Sequence, residues 1–414
     1  MITRRLFTII VGLLFTFPTQ GRTIHVGSAQ SITTIRQGIH EANDGDTLLV
    51  HKGFYQEGNL IIEKSIHLIG MDYPILDGEN QVEIMTIHGH DITIQGFIFQ
   101  NTGITSIQDL AGIKVLESQR IKIIHNQFKD TFFGIYLANS SHCWIERNQL
   151  EANAEAEHQI GNGIHLWKCE FITITENKIK GHRDGIYFEF VTNSLITKNH
   201  SEGNMRYGLH FMFSHRDEYR ENTFVNNGAG VAVMYTKDVH MINNRFDHNW
   251  GPSAYGLLLK DIRDSFIENN FFTTNSVGIF MEGSSRNQIR KNSFKENGYA
   301  IKLQASCDDN NFQRNNFQQN TFDMVTNGTL VLNHIEQNYW DRYEGYDLNQ
   351  DKVGDVPYRP ISMYGRIVEQ VPTAILLWRS FLVFLLDRAE KGIPVLTPEN
   401  LKDDKPNMTP HDFH

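Results

Sequence analysis

The chain has 414 residues, of which 40% are hydrophobic, 21% are charged and only 10 are proline, so it is neither a disordered segment nor a small disulfide scaffold. Asp and Glu (48) outnumber Lys and Arg (38), and the net charge of -10 argues against nucleic acid as a partner, because an acidic surface repels phosphates. Three cysteines, Cys143, Cys169 and Cys307, form no CxxC pair, which leaves neither a zinc ribbon nor a disulfide framework.

The N-terminus has the order of a secretory signal peptide. Arg4 and Arg5 precede an apolar run from Leu6 to Phe17, and a short polar stretch ends at Gly21. A membrane anchor is the alternative, but a spanning helix needs roughly 20 apolar residues and this run is shorter. Residues 1–21 are therefore predicted to direct export, which in a bacterium means the periplasm or the outside.

A short amphipathic helix is predicted next. Ile32, Ile35, Ile39 and Ala42 have helical spacing, and a turn and a strand from Thr47 to Val50 follow. A solenoid needs such a cap to cover its open end. Residues 22–111 are predicted to hold this cap and a first set of less regular coils.

An internal repeat dominates the chain from residue 112 onward. A pattern of glycine, apolar residue, any residue and apolar residue recurs at spacings of 22 to 29 residues. It begins at Gly112, Gly134, Gly163, Gly185, Gly208, Gly230, Gly256, Gly278 and, with alanine for glycine, Ala300. An asparagine follows 14 residues after each glycine, at Asn126, Asn148, Asn177, Asn199, Asn222, Asn244, Asn270 and Asn292. A second asparagine column stands at Asn153, Asn204, Asn227, Asn249, Asn275 and Asn297.

This repeat is typical of a right-handed parallel β-helix. A period near 22, alternation within each unit and asparagine at the corners are its sequence signature, and corner amides can bond from coil to coil. The fold is therefore predicted to be all-β, with an N-terminal cap, β-helix repeats over residues 112–337, and a C-terminal polar loop and helical tail over residues 338–414. Leucine-rich repeats have a similar period but require a leucine framework and a helix that are missing here.

The alternation also predicts an outward face with soft metal ligands. Residues one and three after each glycine are apolar and belong to the core, so residues two and four after it point outward. His165 and His210 fall in the first outward column, and Met212 and Met234 fall in the second on adjacent coils. Thioether sulfur beside imidazole suits Cu(I) better than a hard cation. The alternative is an apolar docking patch, since methionine more often packs than ligates.

Two insertions lie beside this strand. One covers the region from Glu151 to Gly161, and the other covers Trp250 to Ala254 and is preceded by His248. Insertions in a solenoid usually mark its working face, so His248 is included among the candidate ligands.

The competing function is carbohydrate binding or polysaccharide cleavage by an exported β-helix, because many β-helices act on polysaccharides, although a fold by itself is a weak argument for an activity. Cleavage needs two carboxylates within roughly 5 to 9.5 Å on one face. The acidic residues of the outward columns are Glu189 and Glu282, which are predicted to stand four coils, or roughly 19 Å, apart.

Two further segments follow the coils. Asp347, Asn349, Asp351 and Asp355 have the spacing of a calcium loop, but Lys352 replaces the glycine that such loops favour, so a plain polar turn is the alternative. The apolar run from Ala374 to Leu386 is too short to span a membrane, and it is predicted either to cover the end of the solenoid or to dock on a membrane partner.

Several stretches resemble the NosD family. They are GLHFMFSHRDEYRENTF (208–224), AGVAVMYTKDV (229–239), HNWGPSAYGLLLKDI (248–262), NYWDRYEGYDLNQDKVGDVPYRP (338–360) and RAEKGIPVLTPENL (388–401). The resemblance covers nearly the whole chain after residue 21. It implies a non-catalytic periplasmic protein that works with an ABC transporter, whose ATPase is of the NosF type and whose permease is of the NosY type. It further implies a copper chaperone of the NosL type as metal donor, and a role in delivering copper, or alternatively sulfur, to the copper-sulfur centre of nitrous oxide reductase. The ligand residues do not come from the resemblance; they come from the outward columns.

Overall fold

The computed structural model describes residues 21–105, 107–328, 332–392 and 401–413. The chain winds into coils of three short strands, and each strand pairs in parallel with the equivalent strand of the next coil. Three parallel sheets therefore run the length of the molecule, and the predicted parallel β-helix is confirmed. The predicted signal peptide lies outside the described residues, except for Gly21.

The strands divide among three sheets, which we number in the order in which a coil passes through them. Sheet 1 has 14 described strands: Thr23–Val26, Thr47–Val50, His67–Gly70, Thr93–Gln95, Lys122–Ile124, Trp144–Glu146, Thr173–Thr175, Leu195–Thr197, Glu218–Arg220, His240–Ile242, Phe266–Glu268, Gln288–Arg290, Asn311–Gln313 and His334–Glu336. Sheet 2 has 13: Phe54–Tyr55, Ile75–Asp77, Ile98–Gln100, Gln127–Lys129, Gln149–Glu151, Lys178–Lys180, His200–Glu202, Thr223–Val225, Arg245–Asp247, Phe271–Thr273, Ser293–Lys295, Asn316–Gln318 and Tyr339–Trp340. Sheet 3 has 12: Leu60–Ile62, Met85–Ile87, Ala111–Leu116, Phe133–Ala138, Ile164–Trp167, Asp184–Glu189, Tyr207–Met212, Ala229–Met234, Leu257–Lys260, Val277–Glu282, Tyr299–Leu303 and Phe322–Thr326.

The core is a set of side-chain columns, as the alternation predicted. All residues one and three after the repeat glycine are buried, for example Leu209 and Phe211. The apolar residues of sheet 2 form a continuous stack, with ring centroids 4.1 to 5.6 Å apart, made of Phe224, Phe246, Phe272, Phe294, Phe317 and Trp340. Such stacking adds directional ring contacts to the burial of apolar area.

The repeat glycine allows consecutive coils to approach each other closely. A Cβ atom on Gly230 would lie 2.4 Å from the carbonyl oxygen of Gly256 on the next coil. A larger side chain at this position would force the coils apart, which explains why the sequence returns to glycine with the period of the coil.

The first asparagine column forms a buried hydrogen-bonded ladder. In the coil of Asn222, the backbone N–H and the side-chain amide both donate to Oδ1 of Asn244, at 3.0 Å each. Asn244 in turn donates to Oδ1 of Asn270 and to the carbonyl oxygen of Tyr219. The ladder runs from Asn126 to Asn315 and continues to Asn338, so the predicted column is confirmed and extends beyond the predicted residues.

Replacing Asn244 by alanine should destabilise the solenoid by about 3 kcal/mol, because two buried donors of Asn222 and the carbonyl of Tyr219 lose their partners. Urea unfolding followed by circular dichroism measures this loss. Asn153→Ala is the matched control, since Asn153 is exposed, and it should change the free energy of unfolding by less than about 0.5 kcal/mol. Equal stabilities of the two variants would show that the ladder contributes little.

The second asparagine column differs from the prediction at its start. It runs through Asn204, Asn227, Asn249, Asn275 and Asn297 and ends at Asn320. Asn153 does not belong to it, because the inserted segment moves this residue to the surface, where it bonds to Asp130. Instead, the backbone N–H of the buried His182 donates to Asn204, which places His182 at the start of the column.

A third ladder was not predicted. Asn287, Asn310 and Asn333 stack at the corner before sheet 1, through the same pair of amide bonds. Among the described residues three asparagines share this position, and earlier coils carry serine, aspartate or an apolar residue there, such as Ser194, Asp217 and Ile172. The column was therefore too mixed to recognise by residue type.

Both ends of the solenoid are covered. The predicted N-terminal cap is helix α1, Ile35–Glu41, whose first turn is capped by the Thr34 hydroxyl. At the other end, Asp403 accepts hydrogen bonds from the backbone N–H groups of Gln337 and Asn338 and from the indole of Trp340. A carboxylate from the last described segment thus closes the asparagine ladder and the aromatic stack together.

The apolar tail is not one helix. Helix α2, Met363–Gln370, is followed by a 3-10 helix, Pro372–Leu377, and by helix α3, Phe381–Gly392. Arg379, with a φ of 66°, breaks the run, and the Ser380 hydroxyl accepts a bond from Val383 at the start of α3. No helix among the described residues is long and apolar enough to cross a membrane.

These helices lie against outward-facing side chains of the last coils of sheet 3. Phe322 and Val325 of the last strand form a small buried cluster with Tyr364 and Val368 of α2 and Val383 of α3. An ion pair between Lys302 and Glu369, at 2.7 Å, joins α2 to the preceding coil. The tail is therefore attached to the last coils of the solenoid.

The buried carboxyl of Asp323 should make stability fall as the pH rises. Burial raises its pKa from 3.8 to about 7, so the folded state keeps a proton that the unfolded state releases. The stabilisation is complete below about pH 4 and is lost as the pH rises through 7. Asp323→Asn should gain on the order of 2 kcal/mol over the parent at pH 8 and nothing at pH 4, measured by urea unfolding at both pH values. A gain of the same size at both would contradict this assignment.

Candidate metal-binding face

The outer face of sheet 3 brings most of the predicted ligands into one region. The strand register places His165 opposite Tyr187, Tyr187 opposite His210, and Met212 opposite Met234. His210 and Met212 lie on one strand two residues apart, so they share a face. The predicted adjacency of the two methionines is therefore a property of the backbone pairing.

His165 is held in an aromatic stack. Its ring lies between Tyr136, with centroids 4.7 Å apart, and Tyr187, with centroids 4.8 Å apart. Its Nδ1 is 3.0 Å from the side-chain nitrogen of Asn162. Burial in this stack, together with the charge of Arg183, lowers the pKa of His165 to about 3, so the imidazole is neutral at neutral pH.

His210 is buried, whereas the alternation predicted that it faces solvent. The aromatic rings of Tyr187 and Tyr207 contact the imidazole, with ring centroids 5.1 and 4.7 Å from its own. Only 6% of His210 is exposed. Both of its ring nitrogens lack a hydrogen-bond partner among the described residues. Buried polar atoms are nearly always paired, and His182 shares this unpaired state, so the two nitrogens of His210 are free to bind a ligand but do not identify one.

A buried carboxylate that sequence reasoning missed lies next to this ring. Oδ2 of Asp184 is 3.8 Å from Nδ1 of His210, and Oδ1 of Asp184 accepts a bond from the backbone N–H of Tyr207. Asp184 stands directly before a repeat glycine, a column to which the alternation assigns no face. The same column holds the aromatic residues Phe133, Tyr207 and Tyr299, so an acidic residue among them could have marked Asp184 as a functional candidate.

The two methionines are half-buried and open to one side. Met212 and Met234 are Cα partners on adjacent strands, and such strands are about 4.8 Å apart. On the next coil Lys260 takes the equivalent position, where it lies 3.7 Å from Glu282. The sulfur pair is therefore limited to two coils.

The structure does not bring His248 to the methionines. It lies at the corner between sheets 2 and 3 with a φ of 52°, and its Nδ1 is 2.8 Å from Asp247. Met234 pairs with Lys260 at the far end of the strand Leu257–Lys260, so this strand and the inserted loop separate His248 from the sulfur atoms. The inserted loop instead exposes the side chain of Trp250.

The competing carboxylate pair does not form in the outward columns. Glu189 and Glu282 belong to strands separated by four steps of sheet 3. Among the described residues, no three histidine, cysteine, aspartate or glutamate side chains are grouped so as to hold a metal ion. A metal on this face would therefore depend on the thioether groups.

The polar loop after the coils uses its oxygens within the loop itself. Carboxylate oxygens of Asp347 accept bonds from the backbone N–H groups of Asp351 and Lys352, and Asp355 accepts one from Leu348. These are the contacts of a polar turn.

The C-terminal helices expose a second, apolar surface. We call it the tail surface; it comprises Leu376, Phe381, Leu382, Phe384 and Leu385. Leu376 is 85% exposed and Phe381 is 74% exposed, although both are strongly apolar. Exposed apolar surface of this kind is a candidate interaction site.

Comparison with known proteins shows a similarity to the NosD family. Residues 151–350 match the family model described as "Periplasmic copper-binding protein (NosD)", and residues 18–168 match a model described as "Right handed beta helix region". A relative from Stutzerimonas stutzeri is 26% identical over 380 residues, covering 86% of this chain and 85% of the relative. One from Pseudomonas aeruginosa is 27% identical over 399 residues, covering 85% and 86%. Both are named "Probable ABC transporter binding protein NosD".

The chain is similar to the NosD family, through the family model over residues 151–350 and through both relatives over most of its length. The NosD model itself covers His165, His210, Met212, Met234 and His248.

Solved structures with the same fold are more distant. The Streptococcus pneumoniae adhesin PfbA has a TM-score of 0.56 at 13% identity, covering 74% of this chain and 88% of its own. The Dettilon tailspike has a TM-score of 0.55 at 14% identity, with coverages of 70% and 62%. A mannuronan C-5 epimerase module from Azotobacter vinelandii has a TM-score of 0.52 at 11% identity, with coverages of 73% and 86%. These likenesses show that this chain shares their fold, and they carry no information about its activity.

Proposed function

We propose that this protein is a periplasmic copper-binding subunit that docks on an ABC transporter and helps to mature the copper-sulfur centre of nitrous oxide reductase. The family description as a periplasmic copper-binding protein and the names of the relatives as transporter binding proteins support the cellular setting. The observation that carries the proposal is a buried imidazole, His210, with two unpaired nitrogens on the strand and face of Met212.

Cu(I) is the cargo that this chemistry favours. Thioether sulfur and neutral imidazole are soft or borderline ligands, and Cu(I) accepts two to four of them. Met212 and Met234 lie on adjacent strands, so small side-chain rotations bring both sulfurs to one ion. His210 is two residues before Met212 and adds a nitrogen ligand.

The carboxylate of Asp184 has a supporting role in this arrangement. A histidine that binds metal through one nitrogen usually donates its other N–H to a carboxylate or carbonyl, which fixes the ring. Asp184 lies 3.8 Å from Nδ1 of His210, so a small approach would leave Nε2 free for the ion. His165 is two coils from His210, with Tyr187 on the coil between them, so it is the member of the ligand set farthest from the methionines.

Docking is assigned to the tail surface. The transporter permease is membrane-embedded, and a partner that presents apolar groups near the membrane would cover Leu376 and Phe381. The sequence has no phosphate-binding loop, so the ATP-driven step belongs to the transporter's ATPase. A copper chaperone of the NosL type would supply the metal.

Complementation tests the proposal as a whole. A denitrifying strain that lacks its own NosD should make nitrous oxide reductase without its copper-sulfur centre, and this chain should restore the centre and the reduction of nitrous oxide. The copper content and visible spectrum of the purified reductase are the readouts. An unchanged spectrum, in a strain where the chain is exported and folded, would refute the role in maturation.

A further inference from the structure

Two imidazoles meet at the N-terminal edge of sheet 1, far from the methionine pair. His25 lies in the first strand, Thr23–Val26, and His51 directly follows the second strand, Thr47–Val50. Nδ1 of His25 and Nε2 of His51 are 2.9 Å apart, and the ring centroids are 5.2 Å apart with an angle of 37° between the planes. His25 and His51 are 26 residues apart in sequence, and they are neighbours because they lie on adjacent coils.

The backbone of this pair is firmly held while the rings face water. The N–H of His51 donates to the carbonyl of Val26, at 2.8 Å, and its carbonyl accepts the Tyr55 hydroxyl, at 2.8 Å. His25 is paired in the sheet with Leu49. Ile24 and Val26 on either side of His25 are buried in the core, which leaves its side chain on the outer face. An ion that arrives from solvent would meet two nitrogens already in place.

The separation of the nitrogens selects a coordination geometry. With metal–nitrogen bonds of about 2.0 Å, two nitrogens 2.9 Å apart subtend roughly 90° at the ion. A tetrahedral ion would require them to be about 3.3 Å apart. An angle of 90° is that of adjacent ligands in the tetragonal geometry of Cu(II).

We propose that His25 and His51 form a chelating site for Cu(II), with water in the remaining positions. Each neutral imidazole carries one N–H, and a change of tautomer moves it to Nε2 of His25 and to Nδ1 of His51, so both facing nitrogens present lone pairs without loss of a proton. Small rotations of the exposed His25 ring and the half-buried His51 ring then direct the lone pairs at one ion. Cu(II) also binds nitrogen ligands more tightly than the other divalent first-row ions do.

This site is separate from the methionine face in position and in chemistry. Six strands of sheet 1 lie between Thr23–Val26, which holds His25, and Leu195–Thr197, which belongs to the coil of Met212, so the two coils are seven steps, or about 34 Å, apart. The His25 and His51 pair offers nitrogen ligands without sulfur and so favours Cu(II), whereas the methionine sulfurs favour Cu(I). Because no third histidine, cysteine, aspartate or glutamate completes the group among the described residues, we expect an affinity in the micromolar range.

Cu(II) titration of the full chain, purified without a polyhistidine tag, tests this site. We expect one equivalent whose electron paramagnetic resonance spectrum shows tetragonal Cu(II) with two imidazole nitrogens. His25→Ala and His51→Ala should each weaken binding by at least about 10-fold in calorimetry, since each removes half of the chelate.

His240→Ala is the matched control, because His240 is also exposed on sheet 1 but stacks on Phe266, with centroids 4.8 Å apart, and has no imidazole neighbour. Both substitutions at the pair lie on the surface, and circular dichroism verifies that each variant is folded. If His25→Ala or His51→Ala binds Cu(II) with the spectrum and affinity of the parent, the pair is only a hydrogen bond and the site is refuted. This outcome is independent of Cu(I) binding at the methionine face.

Discussion

Replacing Met212 and Met234 together by leucine is expected to weaken Cu(I) binding by at least about 10-fold and to leave the fold intact. Leucine keeps the volume and apolar character of methionine, so the half-buried positions remain filled, but it removes both sulfur ligands. Since loss of a supporting residue around a metal already costs about 10- to 100-fold in affinity, loss of two ligands should cost no less. Competition with a Cu(I)-specific chromophoric chelator under anaerobic conditions measures the affinity.

The matched control for this experiment is Met241→Leu with Met281→Leu. Both of these methionines are buried in the core, so the control makes the same chemical change where no ion can reach. It should bind Cu(I) like the parent. If the Met212 and Met234 double variant also binds Cu(I) like the parent and matures the reductase, the half-buried pair is a docking patch and the copper assignment fails.

Replacing Phe381 and Leu385 by glutamine is expected to abolish association with the transporter permease, with at least about a 10-fold loss of affinity. Both side chains are exposed on α3 and one helical turn apart, and glutamine keeps the helix while it removes the apolar contact area. Val383, which holds α3 to the solenoid, is left in place. Co-purification with the permease in detergent, followed by surface plasmon resonance, measures the loss.

Substitution is a sharper test of docking than truncation. Deleting residues 368–414 would remove Asp403, which closes the asparagine ladder, and Leu401, which is buried in the core, so lost binding could reflect unfolding. Ile107→Gln with Leu348→Gln is the control, because these side chains are exposed apolar groups away from the tail. Retained permease binding by the Phe381 and Leu385 variant would show that the tail surface serves another purpose.

The repeat pattern by itself determined the solenoid, its core columns and the longest asparagine ladder. In a parallel β-helix, residues separated by one repeat become Cα partners, so equal offsets along the chain convert directly into contacts along the axis. That is why the pairing of Met212 with Met234, and of Tyr187 with His210, could be predicted without a structure. Alternation similarly predicted the buried columns, because successive strand residues face opposite sides.

Contacts that do not follow the repeat were decided by the tertiary structure alone. The burial of His210 depends on Tyr207 and on the position of Asp184, which stand directly before the repeat glycines, in a column to which alternation assigns no face. The displacement of Asn153 follows from an insertion whose path has no period. Asp403 reaches the end of the ladder from 65 residues away, and the tail helices settle on sheet 3 because Phe322 and Val325 expose apolar surface there. In a periodic sequence the repeat length determines which residues are neighbours. The ends, corners and insertions have no such period, and they take the positions in which their apolar and polar groups find partners.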